Sequence, residues 1–302
     1  MAEVLVIGGS AIDLKAAVDS ALIPETSNPG TVTATPGGVG RNIAENLARL
    51  GTSVRLLSRV GDDAFGRFVL AETAAAGVDV TAVRTDAEHT ATYAATLDHD
   101  GSLSVAVADF AALDTMTPDH LDPAAFDGVQ HVVLDANLPV PVLSAAITRG
   151  VDVGAMVTIE PVSVAKAARL AQLSDGFSPA HLITPNEAEY AALAELIDPL
   201  LIATWVCLRR GAAGSRVIYG PGTDPVDISA VPVPENEIRD VTGAGDAATA
   251  GLIHALVHGG SLEEAVAFGH EVAAHTVRSE RTVATDLADL MFTPTDLPTE
   301  ED

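Results

Sequence analysis

Basic residues are scarce in this sequence of 302 residues. It contains 16 Lys and Arg against 42 Asp and Glu, a formal net charge of −26, and its only lysines are Lys15 and Lys166. Nucleic acids and anionic membranes attract proteins mainly through clustered positive charge. The charge therefore predicts that neither is a partner. It leaves room for a small phosphorylated ligand, because backbone amides and a metal ion can hold phosphate without lysines.

Cysteine and long apolar runs are also nearly absent. Cys207 is the single cysteine, which excludes an internal disulfide and a thiolate-rich metal site. No uninterrupted apolar stretch approaches the roughly 18 residues of a membrane-spanning helix. The start of the sequence, Met1–Ser10, lacks the basic region of a signal peptide. We therefore expect a cytoplasmic protein.

Apolar residues, in contrast, are plentiful and regularly spaced. Hydrophobic residues make up 48% of the chain and charged residues 19%, a composition typical of globular proteins. Short apolar runs alternate with amphipathic helical patterns, which predicts one α/β domain with a doubly wound, mostly parallel sheet flanked by helices. The predicted strands are Val4–Ile7, Val54–Leu57, Val132–Leu134, Met156–Ile159, Leu182–Thr184 and Val206–Leu208.

Two stretches, at about 13–35 and 89–110, have strand patterns without helices. In the second stretch, two alternating runs flank Asp98–Gly101, which predicts a hairpin with an Asp-Gly turn. Two separated insertions of this kind predict a small β lid over an active site. The tail at 293–302 is rich in proline and acidic residues, and we expect it to be flexible.

The run Asp240–Asp246, with the sequence DVTGAGD, comes directly before the helical stretch Ala247–His258. Small residues at a helix start let backbone N–H groups converge on an anion. A carboxylate at Asp246 would repel that anion, so its position needs a reason. Either Asp246 is a general base that takes a proton from an attacking hydroxyl, or it only caps the helix.

This run resembles a signature of the ribokinase-like (pfkB type) carbohydrate kinases, with Val241 inserted after the first Asp. Further runs resemble the family and follow in the family's order over nearly the whole chain. These are Gly37–Asn42, Ser58–Gly66 and Thr184–Glu189. The resemblance implies a ribokinase-like fold and an ATP-dependent kinase.

The resemblance implies roles for several residues. Asp246 would be the general base, and Gly243, Ala244 and Gly245 the anion hole. The residues expected at the sugar or nucleoside are Asp13, Gly37, Gly38, Asn42, Thr92, Tyr93, Asp109 and Asn137. Asn186 and Glu189 would organise Mg²⁺ through water, and Gly211 and Gly214 would border the ATP site. Several relatives hold a monovalent cation such as K⁺ beside the anion hole, which points to Asp240 and Thr242.

Within the family, the run Gly37–Gly51, the lid segment and Glu160–Ser163 resemble the pseudouridine kinase branch. The expected reaction is phosphorylation of the 5′-hydroxyl of a ribonucleoside, with pseudouridine as the first choice. Ribose, adenosine or inosine remain alternative acceptors, and a non-catalytic nucleoside-binding protein remains an alternative function. Because lid strands in the family often pair between subunits, we expect a homodimer.

Overall fold

Strands and helices alternate along most of the chain in the computed structural model, which describes residues 2–174 and 179–295. In chain order the strands are β1 (Val4–Ile7), β2 (Ala11–Val18), β3 (Gly30–Gly37), β4 (Val54–Leu57), β5 (Arg59–Gly61), β6 (Arg84–Ala87), β7 (Ala91–Leu97), β8 (Leu103–Asp109), β9 (His131–Asp135), β10 (Met156–Glu160), β11 (Ala180–Ile183), β12 (Ala203–Arg209), β13 (Ser215–Ile218) and β14 (Val226–Ile228). The α-helices are α1 (Val39–Arg49), α2 (Ala64–Ala75), α3 (Ala111–Asp114), α4 (Val140–Asp152), α5 (Val164–Arg169), α6 (Glu187–Ala194), α7 (Ala244–Val257) and α8 (Leu262–Thr276). Short 3₁₀ turns lie at Pro118–His120, Pro123–Phe126, Leu170–Ser174, Pro199–Leu201, Gly211–Ala213, Glu235–Glu237 and Leu287–Asp289.

The main sheet has eight strands in the order β14-β13-β12-β11-β10-β9-β1-β4. Strands β4, β1 and β9 to β12 pair in parallel, and β13 and β14 add an antiparallel edge. The six predicted apolar runs form these six parallel strands, although Thr184 falls just beyond the end of β11. The predicted doubly wound, mostly parallel sheet is therefore confirmed.

Helices cover both faces of this sheet because successive side chains of a strand point to opposite sides. In β1, Leu5 and Ile7 belong to a core cluster shared with α4 and α6. Val4 and Val6 belong to a second cluster shared with α1, α7 and α8. In the part of the chain that the structure describes, no helix is both long and apolar enough to cross a membrane.

A second, smaller sheet has four strands in the order β3-β2-β7-β8 and is called the small sheet below. It is formed by the two stretches that lack helices in the sequence, and β2 pairs with β7 in parallel. The expected hairpin links β7 to β8, and the Gly101 N–H donates to the Asp98 carbonyl over 2.8 Å in its turn. Of the tail expected to be flexible, residues 296–302 lie outside the described residues.

The loop after β1 and the start of α1 pass each other closely. Gly38 caps α1 with a φ of +96°, and a Cβ atom at this position would lie 2.5 Å from the Gly9 carbonyl oxygen. At the other end of α1, Gly51 has a φ of +91°, and a Cβ atom there would meet nothing within 4 Å. A side chain at position 38 would therefore clash with the loop at Gly9, whereas a side chain at position 51 would not.

We predict that Gly38→Ala lowers the free energy of unfolding more than Gly51→Ala. Both substitutions cost about 1–3 kcal/mol, because they place a side chain on a backbone with a positive φ. Gly38→Ala adds roughly 1–3 kcal/mol, because the loop at Gly9 must move away from the new methyl group. Urea unfolding of the two variants measures the difference, and an equal loss in both would contradict the close approach seen at Gly38.

Candidate active site

Polar and charged side chains gather at the carboxyl ends of the parallel strands, where α/β proteins bind their ligands. Asp135, Glu160 and Arg209 are the last residues of β9, β10 and β12. The Asp135 carboxylate accepts the Gly9 N–H over 2.7 Å and the Gly40 N–H over 2.9 Å, and so fixes the loop after β1 to the start of α1. The first turn of α7 faces the same end of the sheet, because Arg209 donates to it.

The start of α7 offers unpaired backbone donors. Its N-cap is Gly243, with a φ of +82°, and a Cβ atom there would lie 2.1 Å from the Thr282 carbonyl oxygen. Within residues 2–174 and 179–295, the N–H groups of Gly243, Gly245 and Asp246 have no acceptor. A helix start with free N–H groups attracts an anion.

Asp246 does not cap α7; it lies inside the first turn. Its carboxylate is half-buried, and its Oδ2 accepts a hydrogen bond of 2.9 Å from Asn42 Nδ2. Burial raises the pKa of Asp246 to about 7, and the nearby Glu160 and Asp135 carboxylates add to this effect, while Asn42 and Arg209 oppose it. Of the two interpretations of Asp246, the geometry favours a proton acceptor that titrates near neutral pH.

Asp13 of β2 presents a carboxylate that can accept hydrogen bonds from hydroxyl groups. Its half-buried carboxylate packs on Gly37, where a Cβ atom would come within 2.2 Å of Asp13 Oδ2. No donor in the described part of the chain is hydrogen-bonded to this carboxylate. Burial raises the pKa of Asp13, and the charges of Arg41 and Lys15 oppose that shift. The carboxylate is therefore free to accept hydrogen bonds from a ligand.

A cleft of about 790 Å³ is lined by the small sheet, by α1 and α2, and by the segments before α7 and after α8. Asp13 and Tyr93 of the small sheet line it, and so does Phe68 of α2. The cleft comes close to Asp246 at α1, where Arg41 lines the cleft and the next residue, Asn42, binds Asp246.

The structure does not bring all of the expected substrate residues to this cleft. Thr92 and Asp109 are a register pair on the face of the small sheet opposite to Asp13 and Tyr93. The Thr92 hydroxyl donates to the Thr90 carbonyl, and Asp109 pairs with His89 at 2.8 Å.

Asn137 is buried in the loop after β9, where its N–H donates to Asp135 Oδ1 over 2.9 Å. Asn137 therefore belongs to the loop that follows β9, and it does not line the cleft.

Asn186 and Glu189 lie together at the start of α6, as their spacing suggests, but they bind each other. The Glu189 N–H donates to Asn186 Oδ1 and the Asn186 N–H donates to Glu189 Oε2, a closed capping box. Glu189 is buried, which raises its pKa. The two side chains therefore hold each other in place without a ligand. One carboxylate oxygen, Glu189 Oε1, takes no part in the capping box.

The remaining expected residues lie in two turns. Gly211 and Gly214 form the turn between β12 and β13, and a Cβ atom on Gly214 would lie 2.1 Å from the Ile228 carbonyl oxygen. Gly211 borders open space. Asp240 and Thr242 line the cleft just before α7, and the Thr242 N–H donates to Asp240 Oδ1 over 2.8 Å.

Comparison with known proteins identifies the family of this chain. A family model described as pfkB family carbohydrate kinase matches residues 1–288. The chain belongs to the pfkB family. Pseudouridine kinase of Escherichia coli (strain K12) is 32% identical over 301 residues, covering 94% of this chain and 93% of the relative. Guanosine-inosine kinase of Exiguobacterium acetylicum is 30% identical over 303 residues, covering 92% and 95%.

Among solved structures, Arabidopsis thaliana ribokinase complexed with ribose and ATP superposes with a TM-score of 0.80 at 23% identity, covering 95% of this chain and 97% of that one. The predicted ribokinase-like fold is confirmed. As a pfkB family member whose relatives are named kinases, the chain is a sugar or nucleoside kinase.

Two charged residues next to the start of α7 were not predicted as site residues from the sequence. The buried Glu160 and the half-buried Arg209 form an ion pair, with Arg209 Nη2 and Glu160 Oε1 2.6 Å apart. Arg209 Nη1 donates to the Gly245 carbonyl over 2.9 Å. One signal was available, since both charged residues directly follow apolar strand runs.

We predict that Asp246→Asn lowers kcat by about 10²–10⁴-fold, because an amide cannot accept the proton of the attacking hydroxyl. Binding of the acceptor, measured by calorimetry, should stay nearly unchanged. In the wild type, kcat/KM should fall as the pH drops below about 7, since Asp246 is then protonated.

The matched control is Asp227→Asn, which neutralises an exposed carboxylate paired with Arg216 on the edge of the sheet. It should keep the wild-type rate. An Asp246→Asn enzyme that retained more than about a tenth of wild-type kcat would rule out general-base catalysis by this residue.

Proposed function

We propose that this kinase transfers the γ-phosphoryl group of ATP to the 5′-hydroxyl of a ribonucleoside, with pseudouridine as the preferred acceptor. The observation that carries the proposal is the start of α7. A carboxylate with a pKa of about 7 lies there beside unpaired N–H groups. Asp246 would take the hydroxyl proton, and the N–H groups of Gly243, Gly245 and Asp246 would stabilise charge on the migrating phosphoryl group.

The cleft supports an acceptor with both a sugar and a flat ring. The Asp13 carboxylate can accept hydrogen bonds from two neighbouring hydroxyls of a ribose. Only 4% of the residues are aromatic, yet Phe68 and Tyr93 both line the cleft. Aromatic side chains stack well on a nucleobase. A free pentose would leave this part of the cleft unused.

Pseudouridine is preferred because the E. coli relative is named for it and its similarity spans nearly all of both chains. A purine nucleoside is the second candidate, since the relative named guanosine-inosine kinase has similar identity and coverage. A purine base is larger than the base of pseudouridine. The space beside the aromatic side chains of the cleft would therefore decide which nucleoside binds.

ATP with Mg²⁺ is the proposed phosphoryl donor, bordered by Gly211 and Gly214. In the described ranges, 2–174 and 179–295, no three His, Cys, Asp or Glu side chains cluster as metal ligands. One free oxygen on Glu189, beside Asn186, suits a cation that keeps most of its water. Bound Mg²⁺ would neutralise phosphate charge. Asp240 and Thr242 are the proposed neighbours of a K⁺ ion.

The small sheet is proposed to act as the lid and to pair with a second copy. Its face opposite the cleft carries two uncharged cross-strand rows, deduced from the register. The rows are Val32-Ala16-Thr96-Val105 and Ala34-Leu14-Ala94-Val107. Val32, Val105 and Val107 are 70%, 56% and 64% exposed. Such a face, with free strand edges, favours association.

We expect Val105→Asp to convert a dimer into a monomer, because the charge would be buried in the interface. Val153→Asp is the matched control, since Val153 is similarly exposed (50%) but ends α4, away from the small sheet. Sedimentation velocity gives the masses. A wild-type monomer, or a dimer in both variants, would contradict pairing through the small sheet.

The acceptor itself is tested by incubating the protein with Mg-ATP and a mixture of pseudouridine, uridine, adenosine, inosine, guanosine and ribose. Mass spectrometry then identifies the phosphorylated product. We predict that pseudouridine 5′-phosphate forms first, with kcat/KM at least about tenfold above that of the other acceptors, equivalent to about 1.4 kcal/mol of discrimination. Preference for ribose over every nucleoside would refute a nucleoside acceptor, and no product with any of them would refute the proposed nucleoside kinase function.

A further inference from the structure

The guanidinium of Arg209 contacts the first turn of α7 on its carbonyl side, next to the free N–H groups. Arg209 Nη1 donates to the Gly245 carbonyl over 2.9 Å. That carbonyl and the N–H of Asp246 belong to the same planar trans peptide and so point in opposite directions. Arg209 therefore holds one end of a peptide whose other end is an unpaired donor of the proposed anion hole. A Cβ atom at position 245 would lie 2.9 Å from Arg209 Nη1, so a larger residue there would displace the guanidinium.

The guanidinium is itself held from the opposite side by Glu160. Glu160 Oε1 accepts from Arg209 Nη2 over 2.6 Å. Its other oxygen, Oε2, accepts from the hydroxyls of Thr184 and Thr249 over 2.7 and 2.9 Å. Thr249 lies one turn further along α7 than Gly245. Glu160 is thus buried and satisfied, and it ties Arg209 and α7 to the end of β10.

Arg209 also reaches the residues proposed to face the metal. Its Nη2 lies 3.8 Å from Glu189 Oε2, the oxygen that closes the capping box with Asn186. One side chain therefore connects the start of α6 with the start of α7. In the proposed reaction these two helix starts face the donor and the migrating phosphoryl group.

We propose that Arg209, anchored by Glu160, is a positioning residue for phosphoryl transfer, which holds and polarises the Gly245–Asp246 peptide so that its N–H donates to the migrating phosphoryl group. The inference rests on the proposed kinase site and deepens it. Hydrogen bonds to ionised donors are stronger than neutral ones, and a bond to the carbonyl strengthens the donor on the same peptide. A displacement of such a donor by about 1 Å can cost about 10²-fold in rate.

The Glu160–Arg209 ion pair also affects the protonation of Asp246 through its charges. The groups that face this carboxylate are Asn42 and Arg41 from α1, Asp135 from β9, Glu160 from β10 and Arg209 from β12. Arg209 favours the ionised carboxylate and Glu160 disfavours it. Removing one or the other should therefore shift the acidic limb of the pH–rate profile in opposite directions, which a merely structural role would not do.

The test compares Arg209→Met, Glu160→Gln and the double variant in the acceptor assay, using whichever acceptor the wild type phosphorylates. Arg209→Met should lower kcat by about 10²-fold, with less than about a threefold change in the KM of the acceptor, and move the acidic limb to higher pH. Glu160→Gln should move it to lower pH, and the double variant should return it toward the wild-type position with kcat still low.

Arg216→Met is the control, because Arg216 forms an exposed bidentate pair with Asp227 in the same sheet. It should leave kcat and the pH profile unchanged. If Arg209→Met does not fold, as judged by thermal unfolding, Arg209→Lys replaces it. That variant keeps the charge, so its pH profile should match the wild type while kcat falls, because one ammonium group cannot span Gly245 and Glu160.

Two results would overturn the inference. One is an Arg209→Met enzyme within twofold of wild-type kcat. The other is a loss of kcat with no opposite shift of the acidic limb between Arg209→Met and Glu160→Gln. Both are distinct from failure of the proposed function, in which the wild type itself phosphorylates no acceptor.

Discussion

The hydrogen bond between Asn42 and Asp246 joins two helix starts that lie 204 residues apart in the sequence. Asn42 is in the first turn of α1 and Asp246 in the first turn of α7, and both helices pack in one core cluster against the sheet. The direction of the carboxylate is therefore fixed by helix packing and not by a loop. A site built on rigid elements holds its reacting groups more accurately than one built on loops.

Holding a carboxylate in this way has a thermodynamic cost. Because the pKa of Asp246 is raised to about 7, folding takes up a proton between the ordinary carboxyl pKa and neutral pH. The contribution of this group to the free energy of unfolding falls as the pH rises through that window and stays low above it. The ionised form, which can act as a base, is thus the form that destabilises the fold, an example of the balance between activity and stability.

Much of the fold and part of the site follow from local sequence, and the rest depends on tertiary contacts. Val4–Ile7, for example, is a short apolar run that predicts a strand, and in the structure it is buried on both faces. Gly243 and Asp246 are recognisable because both lie at the start of one helix. The Glu160–Arg209 pair is not, since its partners are 49 positions apart and meet only through the strand order β10-β11-β12. Alternation along β7 places Thr92 and Tyr93 on opposite faces, but only pairing with Asp13 decides which one reaches the cleft.

A net charge of −26 is compatible with the proposed phosphate-binding site, because the two act over different distances. At physiological ionic strength, charges further away than about 8 Å are largely screened. The nearest donors therefore decide whether an anion binds, and peptide N–H groups at a helix start supply partial positive charge without any basic side chain. Arg209 is the one cation hydrogen-bonded to the first turn of α7 within the described residues, and Glu160 offsets its charge. In the proposed reaction, the site would therefore bind phosphate through the orientation of peptide dipoles, which acidic surface residues do not alter.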